Sequence, residues 1–229
     1  MLCSAVMPTT WARRHWIPLA LQCFQLQDYS MRELIVGSED PEVRDLLPFN
    51  DTQVRFVDTP RGITLGEKHN RLADAARGSC IAHWDDDDWH APWRLREQMR
   101  LHAASLRTSA SRILDFVDVT TREVWTYTFS PGSRGAHGGT LCYPRALWQQ
   151  YPFRSVQRAS DYFFIDAIAA HQTIIEVESV ICVASTHQTN TCTRVYQPPS
   201  WQRSHLARLP TECRDWLTQA FVDHTSDQV

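Results

Sequence analysis

The chain has 229 residues, 43% of them apolar, and a formal net charge of −3. That is enough apolar material for a sizeable core in one domain, or one domain with a small appendage, and it argues against global disorder. The slight acidity gives no basis for nucleic-acid binding, and no apolar run approaches the roughly 18 residues of a membrane span. The N-terminus lacks the apolar region of a signal peptide. Seven cysteines, none in a C-x-x-C pair, read as buried thiols of a reducing compartment rather than zinc ligands. A cytoplasmic location follows as the expectation, with a peripheral position at the inner face of a membrane as its variant.

In chain order, Leu2 to Met7 reads as a buried strand stopped by Pro8-Thr9-Thr10. Apolar spacing from Trp16 to Leu26 predicts a helix over Arg13 to Gln27. Arg32 to Val36 is a second strand, Pro41 to Leu47 a short helix, and Val54 to Val57 a third strand. Leu65 to Ala76 is a helix closed by Gly78, and Ser79 to Trp84 a fourth strand. Such alternation argues for a parallel α/β sheet, with ligands at the carboxyl ends of its strands. Further on, Pro92 to Ser105 reads as a helix with a basic face (Arg94, Arg96, Arg100). Arg112 to Val119 and Glu123 to Phe129 read as a hairpin. A strand at Leu141 to Tyr143, helices at Ala146 to Tyr151 and Asp161 to Ala170, and a strand at Ile174 to Val183 complete the core. A tail helix is expected over Trp201 to Phe221.

The fourth strand runs into Trp84-Asp85-Asp86-Asp87-Asp88-Trp89. Adjacent unit charges repel by roughly 4 kcal/mol at an effective dielectric near 20, so four carboxylates between two tryptophans need compensation. A hard divalent cation, Mg²⁺ or Mn²⁺, would supply it. An acidic turn or helix start would also accommodate the run. In an extended chain Asp85 and Asp87 would share one face and Asp86 and Asp88 the other.

Seven pieces in order along residues 1 to about 194 resemble family 2 glycosyltransferases. They are Met7-Pro8-Thr9-Thr10; Gln27-Asp28-Tyr29 before Glu33-Leu34-Ile35-Val36; Leu65-Gly66-Glu67-Lys68-His69-Asn70; and Ala75-Ala76-Arg77-Gly78. His83 to Trp89 with Pro92-Trp93-Arg94-Leu95, then Gly138-Gly139-Thr140 with Ser160-Asp161, and His187-Gln188-Thr189-Asn190-Thr191 complete the set. The resemblance implies a GT-A fold: a mostly parallel, Rossmann-like sheet flanked by helices over residues 1–194, with a C-terminal helical tail at 195–229. It implies inverting transfer of a sugar from a nucleotide-diphosphate sugar, UDP-linked by preference, to the hydroxyl of an acceptor such as a glycan or lipid-linked chain.

The same resemblance implies roles. Asp87 and Asp85 form the D-x-D pair around Mn²⁺ or Mg²⁺, and His187 approaches that metal or the diphosphate. Asp161 is the general base. Pro8, Thr9, Thr10, Lys68, Asn70 and Asp86 contact the donor, and Gly138, Gly139 and Thr140 form the floor under its sugar. Asp88 is expected to cap the following turn or helix. Two positions depart from the family pattern. Gly37-Ser38-Glu39-Asp40 stands where the family carries Asp-Asp-Gly, leaving Ser38 and Glu39 to meet the nucleotide, and Ser160 stands where Glu usually precedes the base. These departures keep open an alternative: a catalytically degenerate sugar-nucleotide or carbohydrate-binding protein of the same fold.

Overall fold

Cys3, Ala5, Val6 and Met7 are all buried without alternation, as expected of a strand covered on both faces. The computed structural model that shows this describes the chain except residues 131, 189, 191–195, 198 and 227–229 and the side chains of 223–226. The elements are β1 (Cys3–Pro8), α1 (Ile17–Gln25), β2 (Arg32–Ser38), β3 (Val54–Asp58), α2 (Leu65–Ala75), β4 (Cys80–His83), β5 (Trp89–His90) and α3 (Arg94–Ser105). They continue with β6 (Ser109–Ala110), β7 (Ile113–Asp118), β8 (Val124–Thr128), β9 (Cys142–Pro144), α4 (Arg145–Gln150), α5 (Ser160–Ala169), β10 (Ile175–Glu176), β11 (Cys182–Thr186), β12 (Trp201–Ser204) and α6 (Thr211–Ser226).

Two sheets result. The first runs β10-β6-β9-β4-β1-β2-β3. Its half from β4 to β3 is parallel, with Val6 opposite Ile35 on one side and His83 on the other. β9 is antiparallel to β4. The second sheet runs β12-β8-β7-β11-β5. The expected hairpin is its β7–β8 pair, and β11 joins β7 in parallel and β5 antiparallel. The mostly parallel α/β architecture agrees with the expectation. The second sheet was not foreseen.

Helices cover the first sheet. α1 buries Ile17, Leu19, Ala20, Leu21, Cys23 and Phe24. α2 starts in a capping box, Thr64 with Glu67, and turns Lys68, His69, Leu72 and Ala73 inward. α6 docks through Cys213, Trp216, Leu217 and Ala220 on the main core, with Trp216 stacked 6.1 Å from Trp16. Among the described residues no helix is long and apolar enough to cross a membrane.

Three expectations are corrected. Ile174 to Val183 is not one strand. Exposed Glu178, Ser179 and Val180 loop the chain from β10 in the first sheet to β11 in the second. The tail is not helical from Trp201, because Trp201 packs on Phe116 and Tyr127 as part of β12. A short 3-10 turn (Leu206–Arg208) and Pro210 then delay the helix to Thr211. Finally, Arg94 is not on a solvated basic face; it is fully buried. The boundary drawn at 194–195 and Cys192 lie outside the described residues.

Burial holds three histidines neutral. His69 is pushed down to about 4, and His83 and His90 are also well below the usual range, with Arg94 adding to both. The unfolded chain binds these protons near pH 6.5 and the folded chain does not. Stability is therefore complete above pH 6.5 and falls as pH drops toward 4, by about 1.4 kcal/mol per pH unit for each histidine. Between pH 7 and pH 5 Asp85, pushed up to about 7, opposes the histidines by about 2 kcal/mol. Urea unfolding at the two pH values should therefore show wild type losing about 2 kcal/mol more than His69→Phe, His69's own share. Equal losses would contradict neutral burial of His69.

Candidate active site

β4 ends at His83, and Trp84 extends it by one bond, its N–H donating to Val6 O at 3.0 Å. The buried Trp84 indole donates to Ala20 O (3.3 Å), which locks the exit of the strand. The next four residues turn rather than extend. The alternation expected of a pleat is therefore absent, and the carboxylates pair differently.

Asp86 and Asp87 share Arg13. The Thr9 hydroxyl donates to Asp86 Oδ2 (2.5 Å), Arg13 Nε donates to Asp86 Oδ1 (2.9 Å), and Arg13 Nη2 lies 2.6 Å from Asp87 Oδ2. Asp87 Oδ2 is also 2.9 Å from His187 Nε2 and accepts from Asn190 Nδ2 (2.9 Å). Burial disfavours its charge, but Arg13 and His187 hold its carboxyl well below the usual range. The Asp88 carboxylate accepts from Ser185 N–H (3.0 Å) and so stitches the run to β11.

Asp85 is different. Its carboxylate takes no hydrogen bond from any described residue and lies over Gly139, where a Cβ would sit 2.5 Å from Oδ2. Burial first, then the charges of Asp87 and Asp86, push it up to about 7; Asp161 adds to this and Arg94 opposes it. Arg94 holds the run from beneath, donating to His83 O (2.7 Å) and Gly139 O (2.8 Å) and to His90 Nδ1. His90 Nε2 therefore carries the proton it gives to Asp85 O (2.9 Å), since a carbonyl only accepts.

These groups open into a cavity of ≈380 Å³ beyond the carboxyl ends of β1 and β4. Pro8, Thr9, Thr10, Arg13, Lys68, Gly138, Gly139 and Asp161 line it with the acidic run. Asp161 is in the first turn of α5 but is not its cap: the cap is Ala159, in the left-handed conformation (φ 59°), with no side-chain bond. A Cβ at Gly138 would collide with the Asp161 carboxylate, so the glycine admits it.

Other expected donor contacts lie away from the cavity. Asn70 spends its amide on Phe153 (N–H 2.9 Å, C=O 2.8 Å) and Trp148 Nε1 (2.8 Å), tying α2 to the segment after α4. Thr140 is buried, donating to His137 O (2.7 Å) and accepting from Ser111 N–H (2.9 Å). Ser38 is fully buried and accepts from Asp40 N–H (3.1 Å), and the Glu39 carboxylate is paired with Lys68 Nζ at 3.3 Å. Thr189 and Thr191 lie outside the described residues. Sequence reasoning missed Arg13, read as the opening of a helix. Its position four residues past Thr9, at the edge that receives the acidic run, was the available signal.

Among the described residues no three His, Cys, Asp or Glu side chains converge as a metal site. The donor chemistry nevertheless suits a divalent cation. Asp85 is a carboxylate beside other acids with no hydrogen bond from a described residue, and Asp87, with His187 Nε2 2.9 Å from it, adds a hard oxygen and an imidazole to the same turn.

No family model matches the chain, and no curated protein matches it. Solved structures do. Staphylococcus aureus TarS 1–349 in complex with UDP-GlcNAc matches with a TM-score of 0.61 at 16% identity, covering 86% of this chain and 62% of that one. The UDP complex of the same fragment matches at 0.58 and 17%, covering 81% and 61%. The chain shares the fold of these TarS structures. The chain spans about three fifths of the length of these TarS fragments.

If Arg13 is the cation that lets Asp86 and Asp87 lie together, Arg13→Met should cost about 3 kcal/mol, the usual loss when one partner of a buried pair is removed. Arg13→Met/Asp86→Asn should cost less than Arg13→Met alone, by urea unfolding. Equal losses would show that Arg13 does not neutralise the pair.

Proposed function

We propose that the protein transfers a sugar from a nucleotide-diphosphate sugar to an acceptor hydroxyl, with inversion at the anomeric carbon. The observation that carries this is the cavity with Asp85 and Asp87 in one part of its lining and the uncapped Asp161 against Gly138 in another. Asp85, Asp87 and His187 would hold Mn²⁺ or Mg²⁺. The chemistry that ion supplies is Lewis-acid neutralisation of charge on the departing diphosphate. Thr9 and Thr10 line the end of β1 where the nucleoside is read, and Lys68 adds a positive charge. Gly138 and Gly139 let the sugar approach the backbone, and Asp161 takes the proton of the attacking hydroxyl. A UDP donor is favoured because two of the TarS structures that match are complexes with UDP and with UDP-GlcNAc. The acceptor class is a hydroxyl of a glycan or lipid-linked chain.

One observation favours a second reading, a degenerate sugar-nucleotide-binding protein: Ser38, where the family resemblance implies a carboxylate, is buried and already hydrogen-bonded. Turnover separates the two. Incubation with UDP-, GDP- and TDP-sugars plus Mn²⁺ and an acceptor mixture should release nucleotide diphosphate from one donor. Asp87→Ala should abolish the metal-dependent release. Asp161→Asn should slow turnover by about 10²–10⁴-fold while leaving nucleotide affinity nearly unchanged. Metal-dependent binding without release from any donor supports the degenerate protein, and no nucleotide binding at all contradicts both readings.

A further inference from the structure

Three rings in contact lead from the acidic run to the C-terminal helix. His187 Nε2 lies 2.9 Å from Asp87 Oδ2. The same imidazole packs against Trp16, with centroids 4.9 Å apart and planes at 31°. Trp16 in turn stacks on Trp216 of α6, 6.1 Å away with planes at 19°. Both indoles are buried.

Trp16 also bears on the second group that holds Asp87. It follows Arg13 in the turn after β1, and its N–H donates to Arg13 O at 2.9 Å. Arg13 Nη2 and His187 Nε2 meet at one oxygen, Asp87 Oδ2, at 2.6 and 2.9 Å. One of them is tied to Trp16 through the backbone, the other through its ring face. Trp216 therefore packs on the residue that bears on both.

α6 has other means of docking. Cys213, Leu217 and Ala220 already bury it on the main core. The Trp216 indole N–H has no partner among the described residues, so what this side chain supplies is the face of its ring. A flat ring against Trp16 fixes the plane on which His187 packs, whereas an aliphatic side chain fills volume without fixing a plane. No described residue of α6 lines the cavity, so its influence on the site runs through Trp16.

We propose that α6, through Trp216 and Trp16, is a positioning element of the candidate metal site. It holds His187 and Arg13 where they meet Asp87 and so sets the affinity for the divalent cation. This gives a task to the C-terminal segment, which lies outside the family resemblance. It rests on the reading that Asp85, Asp87 and His187 hold that cation. Groups that orient a metal ligand typically change metal affinity by about 10–100-fold when altered.

Mn²⁺ titrations of the full chain test this, followed by the electron paramagnetic resonance signal of the free ion, with thermal unfolding of each protein. Trp216→Met fills the volume without a ring, and Trp216→Leu takes its place if the methionine variant does not fold. Either should weaken Mn²⁺ binding by about tenfold or more. Trp216→Phe, which keeps a ring face, should recover most of that affinity. Leu217→Ala truncates the next residue of the same helix. It should lower the melting temperature while leaving Mn²⁺ affinity within about twofold. In a His187→Ala background, removing the Trp216 ring should weaken Mn²⁺ less than it does in wild type. Unchanged affinity without the ring, Trp216→Phe as weak as Trp216→Met, equal weakening in Leu217→Ala, or the full loss repeated in the His187→Ala background would overturn the proposal alone. A wild type that binds no Mn²⁺, or His187→Ala binding it as tightly as wild type, overturns the metal site and this proposal with it.

Discussion

Four adjacent carboxylates at the end of β4 are the constraint on which the rest of the structure depends. No single element can neutralise them. Arg13, from the turn after β1, takes Asp86 and Asp87. His187 and Asn190, from the segment after β11, converge on Asp87, and the β11 backbone takes Asp88. Arg94 lies beneath and reaches the run through His90 and Gly139. The run is also the crossing between the two sheets, since β4 belongs to the first and β5 to the second. Forming the acidic turn and joining the sheets are therefore one event. The network is costly unless complete, as polar groups in a low-dielectric interior are.

What this network leaves uncompensated is functionally informative. Asp85 has its backbone held, but its carboxylate takes no hydrogen bond from a described residue, and it is pushed up to about 7 by its burial and its acidic neighbours. His69 is stacked on His83, and neither of its buried nitrogens has a partner among the described residues. Asp161 is excused from capping α5 by the left-handed Ala159. The buried charge of Asp85 is an energetic cost that the fold alone does not repay, and all three residues line one cavity. Such local costs concentrate where a ligand completes the interactions.

Much of this was legible in the sequence where one physical rule acted alone. The continuous apolar runs of β1, β2 and β4 report strands covered on both faces. The order of motifs brought Thr9, Lys68, Asp85 to Asp87, Gly138 and Asp161 to one place. Failures came where tertiary contacts overrode local pattern. The Asp run turns because Arg13 and β11 draw its side chains to different partners, which a pleat would not allow. Asn70 is consumed by Trp148 and Phe153, over 70 positions away in sequence. Arg94 reads as surface charge by helical spacing, yet it is buried because His83, His90 and Gly139 supply its acceptors. Trp201 belongs to a sheet edge that only the β7–β8 hairpin creates.

The central claim is that this acidic turn holds the diphosphate end of a nucleotide sugar through a divalent cation. A crystal structure with UDP and Mn²⁺, with anomalous diffraction locating the manganese, tests it directly. The account predicts an anomalous peak at the carboxylates of Asp85 and Asp87, with the nucleoside against Thr9 and Thr10. Manganese absent from that turn, or UDP seated elsewhere on the protein, would contradict it.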